Sequence, residues 1–160
     1  VVLTAFDQAW SLLKMPIVPG SFKQDRPLAD VPIRYSAKFQ DPKTTEEMDM
    51  WAEFDLDLEY DQNCEVKGGI NHPNDSMYNL GDRAISHIGQ EYPNKDDFYA
   101  HGTGVDEEYR RRGYATALYD MLARILHEQG EYRLTPSNGL NEMSGPLWGD
   151  KKTWPVRDDL

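Results

Sequence analysis

Phe6, Ala9, Trp10 and Leu13 recur at the i, i+3, i+4, i+7 spacing of one helical face, while Asp7, Gln8, Ser11 and Lys14 fall elsewhere on the wheel. That pattern predicts a short amphipathic helix. Pro16, Pro19 and Gly20 end any helix, and the stretch to Pro32 has no period, so residues 1–30 read as an N-terminal helix and linker arm. So short a helix is marginal alone, and its Trp and Phe are expected to dock on the domain, on another subunit or on a partner. From Val31 the period changes: Val31, Ile33, Tyr35, Ala37 and Phe39 alternate with Pro32, Arg34, Ser36 and Lys38, which predicts a half-buried strand opening a domain over 31–160. Thr44 or Thr45 with Glu47 or Met48 resembles a helix start, and Met48, Trp51 and Ala52 supply the apolar stripe of a short helix. Phe54, Leu56, Leu58 and Tyr60 then alternate with Asp55, Asp57 and Glu59, giving a second strand whose carboxylates read as a solvated face.

Two more strands are expected at 65–70 and 84–90, separated by an Asn-, Asp-, Gly- and Pro-rich loop over 71–82. Residues 97–105 form a further strand. From Arg112 or Gly113 to about Gln129, Ala117, Leu118, Met121, Leu122, Ile125 and Leu126 recur at helical spacing, ended by Gly130. Tyr132–Thr135 reads as a strand, followed by a turn and one last short element. His72 and His87 stand without a second ligand at useful spacing, so no metal is assigned.

Composition narrows the class. The chain has 160 residues, the length of one domain, and its 39% hydrophobic and 11% aromatic content is enough for a core, which argues against disorder. It carries 28 acidic against 17 basic residues, a net charge of −11. This disfavours nucleic acid and favours cationic partners such as amines, polyamines or basic protein segments. Cys64 is the single cysteine, so a disulfide framework within the chain is excluded. With no apolar run of the ~18 residues a membrane span needs and no signal-peptide pattern, a cytoplasmic protein without membrane association is expected.

The densest chemistry lies between the strand at 97–105 and the long helix, in Val105-Asp106-Glu107-Glu108-Tyr109-Arg110-Arg111-Arg112-Gly113-Tyr114-Ala115-Thr116. A glycine-containing turn there delivers backbone N–H groups and the positive end of a helix dipole to one point, as pyrophosphate cradles do. Three consecutive arginines would offset phosphate charge.

This segment resembles the coenzyme A motif of the Gcn5-related N-acetyltransferases (GNAT): Gln or Arg, two residues, Gly, one residue, Gly or Ala. Arg110, Gly113 and Ala115 match it, and the likeness extends to Val105 and to Thr116, Ala117 and Leu118. The resemblance implies an α/β fold with a mixed, mostly antiparallel sheet of six or seven strands, flanked by helices and splayed at the coenzyme site. It also implies acetyl-CoA as co-substrate, with no metal, and transfer of acetyl to a primary amine of a small molecule, polyamine or protein. The coenzyme residues would be Val105, Arg110, Arg111, Arg112, Gly113, Tyr114, Ala115 and Thr116. Further on, Asn141-Glu142-Met143-Ser144-Gly145-Pro146-Leu147-Trp148 is similar to the family's Asn-x-x-Ala-x-x-Leu-Tyr, adding Asn141 to the coenzyme set. Ser144 stands for Ala and Trp148 for the Tyr that usually protonates the departing thiolate. Trp has no hydroxyl, so another group such as Ser144 or water serves, or the thiolate leaves unassisted, or the protein binds without catalysing.

An amine attacks only when unprotonated, so a base is needed. By the period of two, Tyr99, His101 and Thr103 share one strand face, where relatives place their base. His101 either serves as that base or packs against the neighbouring strand, with Tyr99 and Thr103 positioning substrate. The resemblance places an oxyanion-binding backbone N–H near Val105, and Asp55, Asp57, Glu59 and Asp106 could attract a cationic acceptor. Two other readings stay open: a non-catalytic acidic interaction or inhibitor protein on this scaffold, and a phage-type relative that modifies a nucleobase amine. A homodimer, or docking of a partner through the N-terminal helix, is expected.

Overall fold

The computed structural model describes residues 16–25, 33–55, 64–77, 80–91, 94–137 and 144–160. The helix expected over Phe6–Leu13 lies outside the described residues, as do Asp57, Glu59 and Asn141.

Seven strands form one sheet in the order β1-β2-β3-β4-β5-β6-β7: β1 (Lys23–Gln24), β2 (Ile33–Gln40), β3 (Glu47–Asp55), β4 (Glu65–Asn71), β5 (Ala84–Glu91), β6 (Asn94–Val105) and β7 (Arg133–Pro136). Neighbours from β1 to β6 pair antiparallel, and β6 pairs β7 in parallel, with the long helix α2 (Tyr114–Gly130) as the crossover. The short helices α1 (Pro73–Met77) and α3 (Ser144–Trp148) complete the described elements. This is the mixed, mostly antiparallel α/β arrangement expected.

The core lies between α2 and one face of the sheet. Met48, Met50, Ala52 and Phe54 of β3, Val66 and Ile70 of β4, and Ala84 and Ile88 of β5 are buried with Ala117, Leu118, Met121, Leu122, Ile125 and Leu126 of α2. Burying each of the side chains larger than alanine contributes about 1.5–3 kcal/mol. Gly68 of β4 is what lets α2 come close, since a Cβ there would sit 3.3 Å from both a Leu122 methyl and the Trp51 carbonyl oxygen.

The short helix expected around Met48, Trp51 and Ala52 is instead strand β3. Met48, Met50, Ala52 and Phe54 point into the core every second residue, and both edges are taken by β2 and β4. The helical stripe arose from two core positions plus Trp51, which faces the other side of the sheet and donates its indole N–H to Asp82 Oδ1 at 2.8 Å. The loop expected at 71–82 contains α1, and Asp75 of α1 pairs with Arg83 at 2.9 Å. The described part of the expected arm, 16–25, runs along β2: Ile17 bridges Phe39 and is 1% exposed, and β1 pairs with Ser36 and Tyr35.

The C-terminal residues pack against α2 and β7. Trp154 donates its backbone N–H to Leu134 O at 2.8 Å and its indole N–H to the buried Asp120 Oδ1 at 2.8 Å. Arg157 reaches Asp120 Oδ2 at 3.2 Å. Burial raises the Asp120 carboxyl above its usual range, and those two donors only partly offset it.

Candidate functional site

Beyond Val105 the chain makes a 3-10 turn (Glu107–Tyr109) and enters α2 through Arg110, Arg111, Arg112 and Gly113. Two residues of this entry have positive φ, Arg111 at 64° and Gly113 at 86°, which swings the backbone sharply into the helix. Glycine suits the second position because a left-handed conformation strains a side chain there, and a Cβ on Gly113 would meet no atom within 4 Å except those of Pro16, nearest at 3.7 Å.

Gly113 caps α2 without any side-chain bond, and the first intrahelical bond runs from Ala117 N to Gly113 O at 2.9 Å. The amides of Tyr114, Ala115 and Thr116 therefore have no acceptor within the helix. Ala115 and Thr116 line a cleft of about 550 Å³ together with Arg110, Arg111, Gly113, Pro146 and Leu147. Two cationic side chains, a glycine turn and a helix N-terminus meeting in one cleft fit a diphosphate ester.

The three arginines part company. Arg110 turns back and donates Nε–H to Val105 O at 2.9 Å, tying the turn to the end of β6. Arg111 is exposed at the cleft. Arg112 points away from the cleft and meets Asp41 Oδ2 at 3.1 Å, its guanidinium 5.6 Å from the Tyr109 ring centre. The Tyr114 side chain turns the same way, donating its phenol to Asp41 Oδ2 at 2.7 Å. Burial, then that bond, raises the Tyr114 phenol far above the usual range. Arg112 and Tyr114, both expected in the coenzyme set, are therefore not among the residues that line the cleft. Asp41, fully buried, also accepts the backbone N–H groups of Lys43 at 2.7 Å and Thr44 at 3.2 Å. Burial alone would raise its carboxyl, but the four donors outweigh it and hold it below the usual range.

On β6 the structure changes the expected alignment of faces. His87 pairs with Gly102 while Ile88 pairs with Ala100, so His101 is the extra residue of a β-bulge. The bulge reverses the alternation: Thr103 faces α2, where Tyr119 donates to its Oγ1 at 2.8 Å, whereas Tyr99 and His101 lie on the opposite face. Thr103 therefore leaves the trio predicted by strict period two. His101 is exposed, with Nδ1 3.6 Å from Glu91 Oε1 and its ring 6.3 Å from that of Tyr99. The Tyr99 hydroxyl accepts from Asn94 Nδ2 at 3.3 Å.

The β6–β7 ladder ends at Ala100↔Pro136, so the last five residues of β6 continue without a β7 partner among the described residues. By strand rise, His101 lies about 13 Å along β6 from Val105, at the point where the two strands part. Ser144 is the first residue of α3, and Trp148 is its last. Trp148 is fully buried, 5.3 Å from the Tyr119 ring and 5.2 Å from that of Trp154, and its indole N–H has no acceptor among the described residues.

Asp41 escaped the sequence reading, and Pro146 and Leu147 were quoted there only within the 141–148 motif and not as cleft residues. Asp41 is 71 residues from its arginine, and no local spacing announces it. No group of His, Cys, Asp and Glu among the described residues could hold a metal ion, and no helix there is long and apolar enough to cross a membrane.

No curated protein and no solved structure matches the chain. The model of the Acetyltransferase (GNAT) family matches residues 35–144, well over half the sequence, from β2 through the Gly113 turn to the start of α3. A sheet parting after Ala100, a glycine turn into α2 and a family match running through both lead to one conclusion: the chain belongs to the GNAT acetyltransferase family.

Proposed function

We propose that the protein is an N-acetyltransferase that moves an acetyl group from acetyl-CoA to a primary amine of a small molecule, polyamine or protein. The observation that carries this reading is the cleft at the α2 N-terminus. There the amides of Ala115 and Thr116, which have no acceptor within the helix, with Arg110 and Arg111, offer donors and positive charge to a diphosphate. Acetyl-CoA would supply the thioester carbonyl that the amine attacks. The unpaired edge of β6 beyond Ala100 would hold the acyl arm and offer backbone N–H groups to the carbonyl oxygen. His101, exposed at the bulge, would take the proton lost by the acceptor's ammonium, with Glu91 stabilising the imidazolium that forms. Tyr99 would position the acceptor on the same face. A chain at −11 attracts cations to that face in general, which supports an amine acceptor over an anionic one.

A thiol-release assay with acetyl-CoA and a panel of amines tests the reading. Release that depends on the amine supports it; tight coenzyme binding without release on any amine supports a second reading. That reading, a non-catalytic interaction protein on the same scaffold, is favoured by Trp148, which is buried between aromatic rings and has no hydroxyl to protonate a thiolate. Cytoplasmic location, read from composition, and self-association, read from the apolar face of the expected N-terminal helix, belong to the same proposal.

A further inference from the structure

We propose that Asp41, on the turn between β2 and β3, is the positioning residue of the coenzyme-binding turn, acting through the two residues that flank Gly113. The inference rests on the acetyl-CoA reading above and goes beyond it, because Asp41 touches no part of the cleft.

Its two oxygens divide their work. Oδ1 accepts the Lys43 and Thr44 amides and fixes the carboxylate to the hairpin turn, which is closed by the backbone pairs Asp41 N to Glu46 O at 2.9 Å and Thr45 N to Asp41 O at 2.8 Å. Oδ2 takes the Arg112 guanidinium and the Tyr114 phenol. These bonds span 71 and 73 residues of sequence and end on the residues immediately before and after the left-handed Gly113. With both neighbours held by one carboxylate, the turn keeps Gly113, Ala115 and Thr116 on the cleft. The anchor is stiff: Asp41 is 0% exposed, and the Tyr114 ring packs 4.5 Å from Phe39 and 5.8 Å from Tyr109. Arg112 thereby serves as an internal strut, and the cleft keeps Arg110 and Arg111 as its cations.

The consequence is selective. Loosening Asp41 disturbs the turn that receives the diphosphate and leaves the β6 bulge, where the amine reacts, untouched. Acetyl-pantetheine carries the same thioester and arm but no diphosphate, so it separates the two effects. Asp41→Asn is expected to raise KM for acetyl-CoA at least tenfold with kcat within about twofold of wild type, and to leave kcat/KM for acetyl-pantetheine unchanged. Tyr114→Phe, which removes one of the four bonds to Asp41 and keeps Arg112 there, is expected to give a smaller loss of the same selectivity, about threefold, and serves if the first variant does not fold. Calorimetric titration of coenzyme A into each protein reads the affinity independently of turnover. Equal losses on both donors, or unchanged affinity in both variants while the wild-type protein binds, would overturn the role of Asp41 alone. Absence of coenzyme A binding to the wild-type protein would overturn the acetyl-CoA reading and this inference with it.

Discussion

Tyr119 donates its phenolic proton to Thr103 Oγ1 at 2.8 Å, joining the middle of α2 to the stretch of β6 that has lost its β7 partner. Ser86 Oγ on β5 lies 2.8 Å from the same Thr103 oxygen, so three hydroxyls form a chain from strand to strand to helix. Ser86 is fully buried and Tyr119 is 2% exposed, which makes an unpaired hydroxyl here costly. An end and the middle of the chain then respond differently to deletion. Tyr119→Phe removes a donor and leaves Thr103 its bond to Ser86, costing about 1 kcal/mol. Thr103→Val strands both Ser86 and Tyr119 and costs about 2–3 kcal/mol. Denaturant unfolding of both variants checks the order, and equal costs would mean that the chain does not act as a unit.

At Gly113 conformation and ligand contact separate by choice of substituent. Its φ of 86° penalises a β-branched side chain by about 1–2 kcal/mol, whereas asparagine tolerates the left-handed region. Gly113→Val is expected to lower stability by that amount and to weaken acetyl-CoA binding at least tenfold. Gly113→Asn keeps most of the stability and still weakens binding, because any Cβ intrudes beside the unpaired amides. Calorimetric titration together with thermal unfolding checks both, and wild-type affinity in the Asn variant would show that the turn does not approach the phosphates.

Replacement of His101 bears on the chemical step. If His101 takes the proton from the acceptor, His101→Ala lowers kcat at neutral pH by about tenfold to a hundredfold. The deficit shrinks as pH rises toward the acceptor's own pKa, where free amine is supplied by solvent, and KM for acetyl-CoA stays at the wild-type value. A pH–rate profile of both proteins checks this; parallel profiles would leave His101 a surface partner of Glu91.

The local motif at Arg110, Gly113 and Ala115 was legible in the sequence because one turn carries all of its parts, and β2 because it buries Tyr35, Ala37 and Phe39 in strict alternation; the strand expected over 97–105 was found as the longer β6, in which only Phe98 and Ala100 are buried. β3 was not legible, since Met48, Trp51 and Ala52 happen to satisfy helical spacing and only pairing on both edges selects the strand. The bulge at His101 depends on how β5 registers against β6, which no pattern within β6 reveals. Lys23 and Gln24 are exposed and polar, so β1 has no hydrophobic signature at all. The pairing of Arg112 was hidden for the same reason as Asp41: three adjacent arginines look alike until a carboxylate from the turn after β2 claims one of them.

Acid should act on Asp41 and Asp120 with opposite sign. Asp41 is held below the ordinary carboxylate range, so between its folded and unfolded pKa values the unfolded chain binds more protons. Its contribution to stability is full above the unfolded value of about 3.9 and is lost as pH falls through the folded value. Asp120 is raised, first by burial, so the folded chain binds more protons and stability falls as pH rises from the unfolded value through the folded one. Asp41→Asn is expected to cost about 3 kcal/mol at neutral pH, because Arg112 is left without its counter-charge, and this gap closes below about pH 4. Asp120→Asn removes a slope of the other sign, so relative to wild type it fares better at neutral pH than in acid. Denaturant titrations of the three proteins from about pH 3 to 7 read both trends directly. A gap for Asp41→Asn that stays constant across that range would mean that its carboxylate contributes shape and no charge to the turn.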